Sequence, residues 1–239
     1  MSHAGTAFQR RSMIASVSIV AAIFTSTPLF AQQKPIVITP DATSVRALSI
    51  INRSGSYVLS RNIVNNSRVG ADAVQITTSN VVIDLQGFSI TATGSSTGAG
   101  INATGQTNVV IRDGIISGFD GPAIITGANS TISGITATGN STTSGTPAVQ
   151  AGTGSQITGN TVNGSGSGGI TCGSGTGCLI RDNVIQGNAG VGITLSDSTG
   201  GYRSNVMQGN NGNTVGASGQ VSGGTSLGQN LCNGTSTSC

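Results

Sequence analysis

The sequence predicts an all-β protein, a right-handed parallel β-helix in the form of a three-sided solenoid of about six to seven coils. Three short apolar runs recur in the same order six times between Ala73 and Asn210. The runs are rich in Ile and Val, bounded by Gly, Asn, Ser or Thr, and too short for α-helices, which is typical of strands separated by turns. A repeat of roughly 20 to 50 residues indicates a solenoid, and three strands in each repeat predict three sides.

The spacing of the runs is nearly constant. First-run centres are 21 to 27 residues apart, second-run centres follow them by 8 to 10 residues, and third-run centres follow by a further 5 or 7. Parallel coils would lie about 4.8 Å apart, so equivalent residues are predicted to form inward columns. These columns are Val74, Ile101, Ile124, Val149, Ile170 and Ile193 in the first run; Ile83, Ile111, Ile132, Ile157, Ile180 and Tyr202 in the second; and Ile90, Ile116, Ala137, Val162, Ile185 and Met207 in the third.

Two further columns mark predicted corners. Asn160, Asn183 and Asn205 lie between the second and third runs, and their amides are expected to hydrogen-bond from coil to coil as a structural ladder rather than contact a ligand. Glycine at one fixed coil position indicates a corner with positive φ or close packing. The glycines after the third run are Gly118, Gly139, Gly164, Gly187 and Gly209.

Three segments carry a similarity to known proteins: Asn80-Val-Val-Ile-Asp-Leu-Gln-Gly-Phe88, Asn108-Val-Val-Ile-Arg-Asp-Gly114 and Gly55-Ser-Tyr-Val-Leu59. They resemble the secreted right-handed β-helix repeat proteins of the pectin-lyase-like superfamily, and the resemblance covers about residues 50–239. It implies the fold, but it implies little about activity. Relatives include polysaccharide lyases, epimerases, hydrolases and surface proteins.

The ends of the chain differ from the repeats. Residues 1–31 have a basic start, an apolar core and a small-residue cleavage site, and are predicted to be a signal peptide. We therefore expect export to the periplasm, the cell surface or the medium. Residues 32–64 are predicted to cap the solenoid, with a short helix from Asp41 to Leu48. Residues 65–214 carry the β-helix, and residues 215–239 are either a Gly/Ser-rich cap or a disordered tail.

The composition of the mature chain argues against several classes of function. The 10 Lys and Arg fall to 8 without Arg10 and Arg11, against 7 Asp, so the mature charge is +1. That is too little to neutralise a nucleic-acid backbone. His3 is the only histidine and leaves with the signal peptide, so a Ser-His-Asp triad is excluded. No membrane span is predicted after signal cleavage.

The four cysteines are predicted to form two disulfides after export. Strand alternation places Cys172 and Cys178 inward across one corner, so we expect them to pair. Cys232 would then pair with Cys239. The spacing is not that of a metal site.

The outer side of the first run is predicted to be an exposed, uncharged face. The residues that flank the inward column are Ala73, Gly100, Ala123, Ala148, Gly169 and Gly192 on one side, and Gln75, Asn102, Ile125, Gln150, Thr171 and Thr194 on the other. The polar members Gln75, Asn102, Gln150, Thr171 and Thr194 are candidate carbohydrate contacts. A calcium-dependent lyase would instead be expected to place carboxylates here.

Asp72 and Asp120 are the candidates for catalysis. They precede the first runs of coils two apart, so outward side chains would lie about 10 Å from each other. Acid and base of inverting glycosidases are roughly 6.5–9.5 Å apart. The alternative is two solvated turn residues, since nothing in the sequence would raise the pKa of either one.

Charged residues share one column just after the second run: Asp84, Arg112, Arg181 and Arg203. This column is either a contact for an anion or a solvated face that is neutralised by local pairs with Asp113 and Asp182.

The sequence favours a secreted, non-catalytic β-helix scaffold, which is either structural or contacts carbohydrate through its uncharged first face. The alternative is a polysaccharide-active lyase, epimerase or hydrolase, and only that alternative calls for Ca²⁺; no other cofactor is expected. The oligomeric state stays open.

Overall fold

Short parallel strands are stacked along one axis in this computed structural model, which describes residues 35–39, 47–66, 70–94, 96–142, 145–173, 175, 177–213 and 220–233. The predicted signal peptide lies outside these residues, as do Asp41–Arg46 of the predicted helix. The chain forms a parallel β-helix, which confirms the predicted fold class.

The first half of the chain contains strands of two to nine residues. They are β1 (Ile36–Val37), β2 (Ala47–Ile51), β3 (Gly55–Val58), β4 (Ile63–Asn66), β5 (Asp72–Ile76), β6 (Val81–Asp84), β7 (Ser89–Thr93), β8 (Ile101–Ala103), β9 (Val109–Ser117), β10 (Ile124–Thr126) and β11 (Thr131–Thr138).

The second half consists of strands of two or three residues. They are β12 (Val149–Ala151), β13 (Gln156–Thr158), β14 (Thr161–Asn163), β15 (Ile170–Cys172), β16 (Leu179–Arg181), β17 (Val184–Gln186), β18 (Ile193–Leu195), β19 (Gly201–Arg203), β20 (Val206–Gln208), β21 (Val221–Ser222), β22 (Thr225–Ser226) and β23 (Leu231–Cys232). A short 3₁₀ turn spans Asn211–Asn213.

The strands form three faces. The first face is an eight-stranded sheet in the order β2-β5-β8-β10-β12-β15-β18-β21, so the chain makes about seven turns between its first and last strands. The second face runs β1-β3-β6-β9-β11-β13-β16-β19-β22. The third face contains β4, β7, β14, β17, β20 and β23, and it is continuous with the second face because β9 and β11 extend across the corner.

The register brings the predicted inward residues into columns. Ile101 pairs with Val74 on one side and with Ile124 on the other, and the same pairing continues to Val221. Almost every inward residue of the three columns is at most 1% exposed. Full burial of an aliphatic side chain stabilises the folded state by about 1.5–3 kcal/mol. These columns are therefore the hydrophobic core of the solenoid.

Each corner contains residues with positive φ. The five predicted glycines after the third run have φ between 59° and 78°. Asn80, Asn108 and Asn129 have φ of 56° to 60° before the second face, and Asp113 and Asp182 have φ of 59° before the third face. Asn and Asp tolerate this conformation better than other residues with a side chain. The abundance of Gly and Asn therefore has a backbone cause at each corner.

The first face differs from its predicted form at one position. The small residues that precede the inward column are buried rather than exposed: Ala73 and Ala123 are inaccessible. A Cβ at Gly169 would lie 2.8 Å from Cγ2 of Ile185 and 2.5 Å from the carbonyl oxygen of Gly192. The corner therefore directs this position inward, which breaks strict alternation. In the six predicted repeats this position is always Gly or Ala: Ala73, Gly100, Ala123, Ala148, Gly169 and Gly192.

Buried asparagines bond one coil to the next at the corner between the second and third faces. Nδ2 of Asn160 donates to Oδ1 of Asn183, and Nδ2 of Asn183 donates to Oδ1 of Asn205, each over 3.0 Å. Asn205 donates in the same way to Asn230 over 3.1 Å. The four residues are at most 4% exposed. Their side-chain amides bond to other groups of the protein in the interior, so they are not placed to contact a ligand.

A second amide ladder, which the sequence analysis does not identify, lies after the third face. Nδ2 of Asn188 donates to Oδ1 of Asn210, and Nδ2 of Asn210 donates to Oε1 of Gln220, each over 2.8 Å. Gln220 thereby connects the described C-terminal segment to the coil before it.

The N-terminal segment contains regular strands. The predicted helix is wrong at Ala47 and Leu48, which belong to β2 because Ala47 pairs with Asp72 of β5. Tyr57 pairs with Ile83, and Ile63 pairs with Ile90. Residues 47–66 therefore form a coil in register with the next one, and β1 pairs alongside β3.

A disulfide joins Cys172 and Cys178 across the corner between the first and second faces. Cys232 is buried in β23, whereas Cys239, its predicted partner, lies outside the described residues. Residues 220–233 add a short strand to each face. In the part of the chain that the structure describes, no helix has the length and apolarity needed to cross a bilayer.

Candidate functional site

The outer side of the first face carries a single column of half-exposed side chains. Gln75 pairs with Asn102, which pairs with Ile125 and then with Gln150, Thr171 and Thr194. We call these six residues the outer column. Each one lies between two buried neighbours of its strand, so it projects away from the core. All six are uncharged, and adjacent members are separated by about 4.8 Å.

Most polar side chains of this column have hydrogen-bonding groups that no described residue contacts. The side chains of Gln75, Gln150, Thr171 and Thr194 make no hydrogen bond to any described residue. Amides offer two donors and an acceptor, and hydroxyls offer one donor and acceptor lone pairs. Four of the five predicted contact residues are therefore available to a ligand.

Asn102 differs from the other members. Its Nδ2 donates to Oδ2 of Asp72 over 3.0 Å, and its Oδ1 accepts from the backbone N–H and the hydroxyl of Thr104. Both ends of this amide are engaged, so Asn102 positions Asp72 rather than offering a free contact.

Asp72 is buried, which corrects its interpretation as a solvated turn residue. It is 8% exposed, and its Oδ1 accepts from the N–H of Ala99 over 2.8 Å. Burial raises the pKa of this carboxyl above its ordinary value, although the hydrogen bonds from Ala99 and Asn102 oppose the shift. Such a shift could not be predicted from the sequence, because the contacts that surround Asp72 come from the neighbouring coil.

Asp120 lies in a half-exposed turn. The hydroxyl of Thr142 donates to its Oδ1, and its backbone N–H donates to the carbonyl oxygen of Ser96. Asp72 and Asp120 thus bond to opposite ends of one segment, residues 96–99, from different coils. No hydrogen bond joins the two carboxylates among the described residues.

The site is poorly suited to Ca²⁺. Both oxygens of Asp72 accept hydrogen bonds from N–H donors, whereas Ca²⁺ requires six to eight oxygen ligands, carboxylates among them. Within the described ranges, no three His, Cys, Asp or Glu side chains lie close enough together to bind one metal ion.

The charged column of the second face contains both paired and unpaired groups. Nη2 of Arg112 lies 2.9 Å from Oδ2 of Asp84, and Nη1 of Arg181 lies 2.6 Å from Oδ2 of Asp182. Arg203 pairs in register with Arg181 and is exposed. No carboxylate of a described residue forms an ion pair with it.

One further residue continues the outer column at each end, and the sequence analysis does not include either of them. Ile50 pairs with Gln75 at the start, and Ser222 pairs with Thr194 at the end. Val221 lies 28 residues after Ile193, close to the longest step between repeats, so the spacing alone contained this signal.

Comparison with known proteins identifies a family. Residues 72–231, about two-thirds of the chain, match the family described as a right handed beta helix region. Searches of the curated proteins and of the solved structures give no significant match. The matched range begins at β5 and ends in β23, so it covers all the stacked coils except the first, residues 47–66. The chain therefore belongs to the right-handed β-helix family.

Proposed function

We propose that this protein is an exported, non-catalytic β-helix scaffold whose first face contacts polysaccharide. The observation that carries the proposal is the outer column, in which Gln75, Gln150, Thr171 and Thr194 present hydrogen-bonding groups that no described residue occupies, on strands paired with a neighbour on each side. The disulfide between Cys172 and Cys178 supports export, because disulfides persist in oxidising compartments.

The chemistry of the column suits a neutral, extended polymer. Side-chain amides and hydroxyls can each donate to and accept from sugar hydroxyls, and the side chain of Ile125 adds an apolar contact. Each member of the column is half-exposed, whereas small ligands require pockets that bury most of their surface. Many weak contacts that repeat along the axis instead favour a long chain.

A non-catalytic role is supported by the state of the acidic residues. Asp72 is buried with both oxygens bonded, and Asp120 accepts a hydrogen bond from Thr142. A polysaccharide-active enzyme is the second candidate, and the raised pKa of Asp72 favours it, since a general acid must stay protonated near its working pH.

Binding should be measured with the mature protein, residues 32–239, against immobilised neutral and acidic polysaccharides. The test variant is Gln150→Ala/Thr171→Ala, and the matched control is Gln186→Ala/Thr161→Ala on the third face. Loss of two hydrogen bonds at roughly 0.5–1.5 kcal/mol each predicts about tenfold weaker binding for the test variant alone. Equal affinities for the two variants would refute a first-face contact.

The same preparation should be assayed for product release, with and without Ca²⁺. We expect none. Turnover that disappears in Asp72→Asn and Asp120→Asn would replace the scaffold by a lyase or hydrolase.

A further inference from the structure

Two arginines occupy adjacent coils on the second face. Arg181 of β16 pairs in register with Arg203 of β19. Their backbones are therefore about 4.8 Å apart, and both side chains emerge on the outer side of the sheet. Like charges that are directly opposite each other in a sheet are unfavourable.

The rest of the column avoids this repulsion. Asp84 lies opposite Arg112 and pairs with it at 2.9 Å, and the next two coils carry the uncharged Ser133 and Thr158. The two stacked arginines are thus a departure from the pattern of the same column.

Among the described residues, a neighbouring carboxylate pairs with only one of the two arginines. Arg181 uses Nη1 to contact Asp182 at 2.6 Å, and no described residue bonds to Nε or Nη2 of its guanidinium group. Arg203 makes no hydrogen bond or ion pair with any described residue. In the coil that follows, Ser226 stands opposite Tyr202, so the next residue, the uncharged Leu227, lies beside Arg203.

The backbone below the two arginines is fixed. The preceding residues Ile180 and Tyr202 are buried in the core at 0% and 5% exposure. β16 and β19 each have a paired strand on both sides, and Cys178, two residues before Ile180, is held by the disulfide. A site on such strands binds with little loss of backbone entropy.

We propose that Arg181 and Arg203 form an oxyanion-binding site for the carboxylate or sulfate groups of an acidic polysaccharide. Guanidinium groups bind such oxyanions through paired N–H donors. One bound oxyanion removes the repulsion between the arginines and supplies Arg203 with the partner that it lacks among the described residues. The two arginines lie on adjacent coils, and Thr158 on the coil before them is uncharged, so the site suits one oxyanion of a sugar chain rather than the closely spaced phosphates of a nucleic acid.

The test is titration of the mature protein with a uronic acid hexasaccharide at low salt, with Arg203→Gln as the variant. We expect a ten- to hundredfold weaker affinity, from the loss of a charge-assisted hydrogen bond. Arg203→Lys, which keeps the charge but lacks the planar donor fork, should fall between the two. The wild-type Nε–H resonance of Arg203 should shift on binding.

The matched control is Arg112→Gln, because Arg112 lies in the same column but is already paired with Asp84. It should change the affinity less than twofold. Equal losses in Arg112→Gln and Arg203→Gln, or no binding by the wild-type protein, would overturn the proposal. Equal binding of the carboxyl-reduced hexasaccharide would do so as well.

Inorganic sulfate separates a free anion from a polymer. If sulfate alone competes fully at equal concentration, the site recognises the isolated oxyanion; if the hexasaccharide binds at least tenfold more tightly, recognition extends along the chain. Either result supports the oxyanion site. This inference does not depend on the first-face contact, since Gln150→Ala/Thr171→Ala should leave hexasaccharide binding through Arg203 unchanged.

Discussion

Replacement of Asn183 by Ala should reveal how much the amide ladder contributes to stability. Asn183 is 1% exposed, its Nδ2 donates to the carbonyl of Ile157 over 3.0 Å, and its Oδ1 accepts from the N–H of Asn160 over 2.9 Å. The variant removes both partners. The neighbouring amides keep other bonds, since Asn160 still donates to Ile132 and Asn205 still accepts from the backbone of residue 183.

The expected cost follows from these two backbone groups. A buried group that loses its partner costs roughly 1–3 kcal/mol, so Asn183→Ala should lower the free energy of unfolding by about 4 kcal/mol. Urea unfolding followed by circular dichroism measures this difference. Asn163→Ala is the control, because that side chain points outward and makes no hydrogen bond to a described residue. Its cost should stay within about 0.5 kcal/mol. A cost below about 1 kcal/mol for Asn183→Ala would show that the ladder is not needed for stability.

Two more predictions concern stability. Burial raises the folded-state pKa of Asp72 above 3.8, so the contribution of this carboxyl to stability should increase as the pH falls through the folded pKa and be complete below 3.8. The free energy of unfolding of the wild-type protein minus that of Asp72→Asn should therefore rise between about pH 7 and about pH 3.5; a flat difference would contradict the burial. Reduction of the disulfide between Cys172 and Cys178, six residues apart, should cost about 2 kcal/mol of chain entropy and leave the strand signal intact. Loss of that signal on mild reduction would mean that the stacked coils are not stable without the disulfide.

The inward columns were predictable because burial and strand alternation act on each residue locally. Ile101, Ile132 and Val162 lie at recurring positions in the sequence, and the structure buries each of them completely. The Asn160 ladder was predictable for a related reason, since a fixed position in each coil becomes a column once the coils stack.

Features that depend on the shape of a corner could not be predicted. Alternation places Gly169 outward, but the bend turns this position towards Ile185. Asp72 looked like a solvated turn residue, but Ala99 and Asn102 of the next coil surround it. Both outcomes depend on neighbours about 15 to 30 positions away, and the sequence gives the distance to those neighbours along the chain but not in space.

The regular stacking of the first face also fixes a length. Eight strands separated by about 4.8 Å give a face about 34 Å long from the first strand to the last. Gain or loss of one coil changes that length by one step and leaves every remaining bond of the ladders in place, because each amide contacts only the adjacent coils. A polymer bound along this face as proposed would therefore be contacted over a length that changes by about 4.8 Å per coil, without a change of fold.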